Sequence, residues 1–205
     1  MKTIVLIIIV GCFLIAFNSC SKNLKTDNPI TDIDGNNYQT VTIGNQVWMA
    51  ENLKTTKYRN GDPIPNVTSN TTWTGLTSGA YCWYKNDIAN NTTGAIYNFY
   101  AVTDNRNIAP IGWHVPTFDD WNVLTAYFGG TKPAYTKLVE NGFSIIYAGT
   151  RSADGSFSTD LFSYWWTSTG SPTTGEYIEK DYFYKIMNFD PADKKSGYSV
   201  RCVKD

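Results

Sequence analysis

One histidine, four cysteines and three methionines are all that this 205-residue chain holds of the common metal- and redox-active side chains. Each scarcity excludes something. His114 alone cannot build a histidine-rich metal centre. Two of the cysteines, Cys12 and Cys20, fall in the first twenty residues, which leaves Cys82 and Cys202 for the rest. Two thiolates and one imidazole are too few for a four-ligand structural zinc site. An excess of basic charge is also missing. Seventeen Lys and Arg face eighteen Asp and Glu, for a formal net charge of −1, so the electrostatic footprint of nucleic-acid binding is absent. No Gly-x-Ser-x-Gly elbow is present to raise a nucleophilic serine. Asp32-x-Asp34-Gly35-Asn36 begins like a calcium loop, but Asn37 and Ile43 stand where an EF-hand needs glycine and glutamate. A turn held by Asx side chains is the expectation there. Calcium in other loops stays open, and no cofactor is predicted.

Aromatic residues, by contrast, are plentiful. They make up 15% of the chain, within a hydrophobic fraction of 42%, which is enough apolar surface for a folded core. Residues 4–17 form the longest apolar run, shorter than a bilayer span but suited to a signal-peptide core behind Lys2. The run ends at Phe17-Asn18-Ser19-Cys20, a small residue before a cysteine, as in a bacterial lipobox. The sequence therefore predicts a signal peptide over 1–19, a lipid on Cys20 and a short polar tether over 20–29. One domain follows over 30–205. The expected location is the cell envelope, lipid-anchored to the outer membrane, on either face. In an exported domain, Cys82 and Cys202 read either as one disulfide or as two buried thiols. A disulfide closing so long a loop would contribute roughly 4–5 kcal/mol.

Apolar residues alternate on both sides of Gly44-Asn45, the pattern of a β-hairpin. Residues 59–80 and 86–93 are Asn-, Thr- and Ser-rich and read as loops. Residues 81–84 suggest a short strand, and 96–102 fits either strand or short helix. Helices are predicted over 118–128, with Thr117 as N-cap and Gly129-Gly130 as stop, and over 132–141. Strands are predicted at 143–149, 157, 164–168, 177–188 and 198–204. The class is α+β, with few helices and many short antiparallel strands.

The order of motifs carries a resemblance. DIDGNNYQTVTIGNQVWMAENLKT (32–55), AYCWYKND (80–87), AIYNFYAV (95–102), NIAPIGWHVPTFDDWNVL (107–124), AGTRSADGSF (148–157), YWWTST (164–169) and GYSVRCVKD (197–205) follow one another to the last residue. From about residue 30 onward the chain resembles the Fibrobacter succinogenes major paralogous domain family, found in exported bacterial proteins, often lipoproteins. Two blocks, GWHVPTFDDW and GYSVRCVKD, are more distantly similar to formylglycine-generating-enzyme-like sulfatase-modifying domains. That similarity implies a C-type-lectin-like fold, with termini brought together in a small sheet and long loops carrying any site. The family resemblance also implies the Cys82–Cys202 disulfide.

The resemblance does not imply enzyme chemistry. Formylglycine-generating enzymes need two active-site cysteines close together, and related iron enzymes use several histidines. Here the two cysteines lie in structural blocks and the histidine is single. His114 is therefore expected to be a packed, hydrogen-bonded residue at the entry to a helix. Trp83, Tyr84, Trp165 and Trp166 are the candidate ligand-binding residues, because aromatic faces stack on sugars. If 165–166 is extended, one tryptophan points inward and the other outward. The sequon-like Asn66-Val67-Thr68, Asn70-Thr71-Thr72 and Asn91-Thr92-Thr93 reflect composition. The leading expectation is a non-enzymatic, lipid-anchored envelope protein. It would bind a glycan or a protein through loops near 59–80 and 151–176, and no nucleic acid. The alternatives are an enzyme or enzyme-accessory domain related to sulfatase-modifying factors, and a structural envelope protein without a small ligand.

Overall fold

A computed structural model describes residues 29–145, 148–158 and 162–205. The expected signal peptide with Cys12, the expected lipobox with Cys20 and nearly all of the expected tether lie outside the described residues. Among the described residues no helix is long and apolar enough to cross a membrane. The class is α+β. Short antiparallel strands form four small sheets, and four short α-helices pack around them.

The first hairpin follows from its turn. Thr40–Ile43 pairs with Gln46–Met49, Ile43 opposite Gln46, so the loop is only Gly44-Asn45. Gly44 has φ +61, a conformation that side chains oppose, and a Cβ there would meet the Tyr127 ring at 2.9 Å. The C-terminal strand Val203–Lys204 lies between Gln46–Met49 and Trp113–His114. The first and last parts of the domain therefore share one sheet. A five-stranded sheet runs in the order Tyr81–Cys82, Ile96–Asn98, Gly197–Tyr198, Thr150–Arg151, Phe157–Ser158.

Residues 96–102 prove to be both strand and helix. Ile96–Asn98 is a strand, and the Asn98 side chain then caps the helix Phe99–Val102 by accepting from the Ala101 amide. The helix Phe118–Tyr127 starts at Thr117 in a capping box. Thr117 Oγ1 accepts from the Asp120 amide at 3.1 Å, and the Asp120 carboxylate accepts from the Thr117 amide at 2.8 Å. The second predicted helix is Thr131–Glu140. The loop 59–80 holds one short helix that the sequence did not reveal, Asn70–Thr74, capped by Ser69.

The largest departure concerns 177–188. It is a hairpin: Thr174–Asp181 pairs with Ile186–Asp193 along their full length, and Ser163–Gly170 adds the third strand. The chain turns at 182–185 because the Asp181 carboxylate accepts from the amides of Phe183 and Tyr184 at 2.7 and 2.9 Å. Lys185, at φ +55, completes the reversal. An Asx turn built on aromatic residues leaves none of the usual Gly or Pro signals.

Strand Ser163–Gly170 separates two apolar clusters. Trp165 packs with Trp48, Trp121 and Phe143 on one side. Trp166 packs with Phe99, Tyr97 and Tyr198 on the other. A third, smaller cluster gathers Trp73, Ala80, Cys82 and Ile96.

Candidate functional site

The residues around His114 form a brace. Its Nδ1 lies 2.7 Å from Asp205 Oδ1, and its Nε2 lies 3.2 Å from Asp120 Oδ2. Asp120 is the same carboxylate that closes the capping box. Burial alone pushes the Asp120 carboxyl up, but hydrogen bonds from Thr117 and His114 outweigh this and hold it below the ordinary carboxylate range. The imidazole thus ties the last residue of the chain to the start of a helix. Both ring nitrogens face carboxylates.

Two buried arginines form the other polar centres. Arg201 donates to the carbonyls of Ala50 and Ser144 at 2.9 and 2.7 Å and to Asn52 Oδ1 at 2.7 Å. Its guanidinium lies 4.1 Å from the centre of the Phe143 ring. Burial pulls it down to about 9, which leaves it charged at neutral pH. Asn52 is shared: Oδ1 also accepts from Trp165 Nε1 at 2.8 Å, and Nδ2 donates to the Thr93 carbonyl at 2.9 Å. Arg151 donates to the carbonyls of Gly155, Val67 and Thr68 and to Asn70 Oδ1, and lies 4.3 Å from the Trp73 ring centre. Neither cation faces an open cavity. They fasten loops to the sheet.

Two sequence expectations are corrected. The Cys82–Cys202 disulfide is not formed; both thiols are free and buried. Cys82 belongs to the cluster around Trp73 and Cys202 to the one around Tyr97, on separate parts of the core. Burial pushes the Cys82 thiol up to about 11 and the Cys202 thiol higher still, so both are inert at neutral pH. Nor is there an outward tryptophan at 165–166. The two rings do point to opposite sides, but both sides are core, and both residues have 0% relative exposure. Their indole N–H groups are also occupied, Trp165 with Asn52 and Trp166 with the Tyr97 carbonyl.

Of the four aromatic candidates, Trp83 and Tyr84 separate. Tyr84 turns toward Phe157, ring centres 5.8 Å apart, and its hydroxyl is buried without a partner. Trp83 lines a polar cleft of about 300 Å³, together with Asp34, Asn36, Lys54, Thr56 and Asn91. Four separate stretches build it. The turn at 32–36 is held by Asp32, whose Oδ1 accepts from the Asp34 and Asn36 amides, as the Asx reading expects. Residues 54–56 follow the first hairpin. Trp83 leaves the strand Tyr81–Cys82, and Asn91 sits in the 3-10 helix Ile88–Thr93.

The polar groups of the cleft divide into used and free. Asp34 accepts from Thr55, Thr56 and Lys57, with Lys57 Nζ at 3.1 Å. Burial raises its carboxyl, but these bonds together hold it below the ordinary range. It is an ionised strut. The side-chain carbonyl of Asn36, the Asn91 amide, the Lys54 ammonium and the Trp83 indole N–H have no hydrogen-bond partner among the described residues. In the sequence, Asn36, Lys54 and Asn91 carry no expected binding role: Asn36 falls in the Asx turn, and Asn91 in a sequon-like triplet set down to composition. A second cleft, about 200 Å³, is more apolar and lies under Ile33, Ile108, Pro110 and Ile111. Its one cation, Arg59, is occupied by the carbonyls of Ala109, Pro110 and Trp113.

The residues that hold these features in place are those of the seven sequence blocks: Asn52, Trp83, Asn98, His114, Asp120, Arg151, Trp165, Trp166 and Arg201. A family model, Fibrobacter succinogenes major domain, matches residues 41–204. The chain belongs to this family. No curated protein and no solved structure matches it. Within this Fibrobacter succinogenes major domain, the matched span covers the turn at Gly44-Asn45, both buried arginines, and His114 with Asp120, while Asp205 of the brace lies just past it. It takes in Lys54, Thr56, Trp83 and Asn91 from the polar cleft, while Asp34 and Asn36 precede it. Among the described residues, no group of three or more His, Cys, Asp or Glu side chains is arranged to hold a metal ion.

Proposed function

We propose that this protein is a lipid-anchored component of the bacterial cell envelope whose domain binds a glycan without transforming it. The observation that carries the reading is the polar cleft at Trp83. Sugars present alternating C–H faces and hydroxyls, and they are held by an aromatic edge or face beside amide and ammonium groups. Trp83, packed in the core and 8% exposed, offers the small aromatic part of the wall. The Asn36 carbonyl accepts from a sugar hydroxyl, and the Asn91 amide and Lys54 ammonium donate to ring and hydroxyl oxygens. Asp34, already saturated, keeps the turn rigid. The cleft is built from different loops than 59–80 and 151–176, where the sequence alone suggested a ligand. The lectin-like architecture implied by the paired motifs belongs to the same proposal, as does the outer-membrane location.

A glycan array of plant, host and bacterial polysaccharides tests the reading, followed by titration of the best binder. Trp83→Ala is expected to weaken binding about tenfold, the worth of one aromatic contact. If no polysaccharide binds, or if the Trp83 variant binds as tightly as the parent, the glycan reading fails. The anchor is tested separately. Cys20→Ala is expected to shift the protein from the membrane to the soluble fraction of the envelope; a variant that stays membrane-bound removes the lipid from the proposal.

A further inference from the structure

Among the described residues, the most exposed aromatic surface lies far along the chain from the polar cleft, at the turn of the long hairpin. Tyr182, Phe183 and Tyr184 are 42%, 67% and 78% exposed, three consecutive rings at the end of two eight-residue strands. The helix Thr131–Glu140 packs beside them on the strand Ile186–Asp193. It adds Tyr135 and, one turn on, the exposed Val139. Lysines frame the rings. Lys185 Nζ lies 3.6 Å from the Tyr182 ring centre and 3.5 Å from Tyr135 Oη. Lys180 Nζ lies 3.4 Å from the Tyr135 ring centre. Lys132, exposed, is three residues before Tyr135 on the same helix face. None of the three lysines has a carboxylate partner among the described residues. The nearest acid in sequence, Asp181, has its Oδ1 turned into the loop amides.

We infer that this hairpin tip, with the adjoining face of the helix, docks onto an anionic lipid bilayer. Four features favour that partner. The rings stand at a turn, where they can enter the headgroup region without reorganising the fold. Tyrosine and phenylalanine beside lysine is the composition of a membrane–water interface, with the rings at headgroup depth and the ammonium groups toward phosphate. Exposed Lys132 and Lys185 supply the charge complementary to an anionic surface, while Lys180, 6% exposed, backs the Tyr135 ring from inside. And the Asp181 side chain, by fixing the turn, limits the entropy lost when the loop becomes ordered on a surface. The inference is independent of the glycan cleft and of the anchor at Cys20.

Hydrogen exchange on the full chain, reconstituted in vesicles, reads the hairpin directly. The comparison is between pure phosphatidylcholine and phosphatidylcholine containing phosphatidylglycerol. Amides of residues 181–186 are expected to exchange on the order of tenfold more slowly on the anionic vesicles, with the difference shrinking at high salt. The double variant Phe183→Ser, Tyr184→Ser abolishes the difference, and Lys132→Gln with Lys185→Gln reduces it. Unchanged exchange elsewhere in these variants shows that they remain folded. Equal exchange on the two vesicle types overturns the inference, because anchoring alone is the same in both. Protection by a soluble acidic polysaccharide, with none from vesicles, also overturns it and makes the tip a glycan surface.

Discussion

Arg201→Met is expected to destabilise the domain by about 1–3 kcal/mol, read as a lower urea midpoint at an unchanged slope. The reason lies in what the guanidinium leaves behind. Its acceptors are the carbonyls of Ala50 and Ser144, which no side-chain substitution removes, and Asn52 Oδ1. Replacing a buried ion pair by apolar groups is often harmless when both charges go. Here only the donor goes: the Ala50 carbonyl keeps the Ser144 amide at 3.0 Å and Asn52 Oδ1 keeps Trp165 Nε1 at 2.8 Å, so the Ser144 carbonyl is the acceptor left short, at a cost of about 1–3 kcal/mol. Methionine fills much of the volume beside Phe143 and Trp165, so the loss reports hydrogen bonding more than a cavity. A methionine variant as stable as the parent would mean that another donor reaches the Ser144 carbonyl, and that Arg201 does not fasten the loops. The charge itself opposes folding, since burial pulls the guanidinium down to about 9. What holds the cation in the core is the set of acceptors and ring faces converging on it from three separate segments.

This arrangement explains which parts of the molecule the sequence could disclose. The hairpin at Gly44-Asn45 and the Thr117 capping box are local: a few adjacent residues set φ, supply the cap and fix the outcome. Both were legible. The pairing of Cys82 with Cys202 was not, because whether two distant cysteines meet depends on which cluster each strand faces. Residues 177–188 misled for a different reason. Alternating apolar residues continue through the turn, and the reversal is made by the Asp181 side chain instead of by glycine or proline. The polar cleft was the least legible feature, since residues 34–36, 54–56, 83 and 91 meet only after the sheets form. The motifs that identify the family are mostly interior: Asn52, Arg151, Trp165, Trp166 and Arg201 are all buried. They specify how this chain packs, and they carry little information about what it binds. The residues proposed to bind, Lys54, Asn91 and the rings at 182–184, are ordinary in type and become conspicuous only by position.

The two tryptophans of strand Ser163–Gly170 separate packing from binding. Trp165→Ala and Trp166→Ala are each expected to cost about 3–5 kcal/mol, the range for deleting a buried tryptophan. Each loses a ring contact, at 5.8 Å to Trp121 for the first and 5.1 Å to Phe99 for the second, and each frees a buried acceptor. Neither should alter glycan affinity in the fraction that remains folded, because neither ring is exposed. The couplings differ. Trp165 shares Asn52 Oδ1 with Arg201 and lies 5.5 Å from its guanidinium, so the double variant with Arg201→Met should depart from additivity by about 0.5–3 kcal/mol. Trp166 faces the other cluster, and its double variant with Arg201→Met should be additive within about 0.5 kcal/mol. Urea titrations of the three single and two double variants against the parent decide the matter. Equal coupling of both tryptophans to Arg201 would mean that the two clusters act as one core, and that strand Ser163–Gly170 does not divide them.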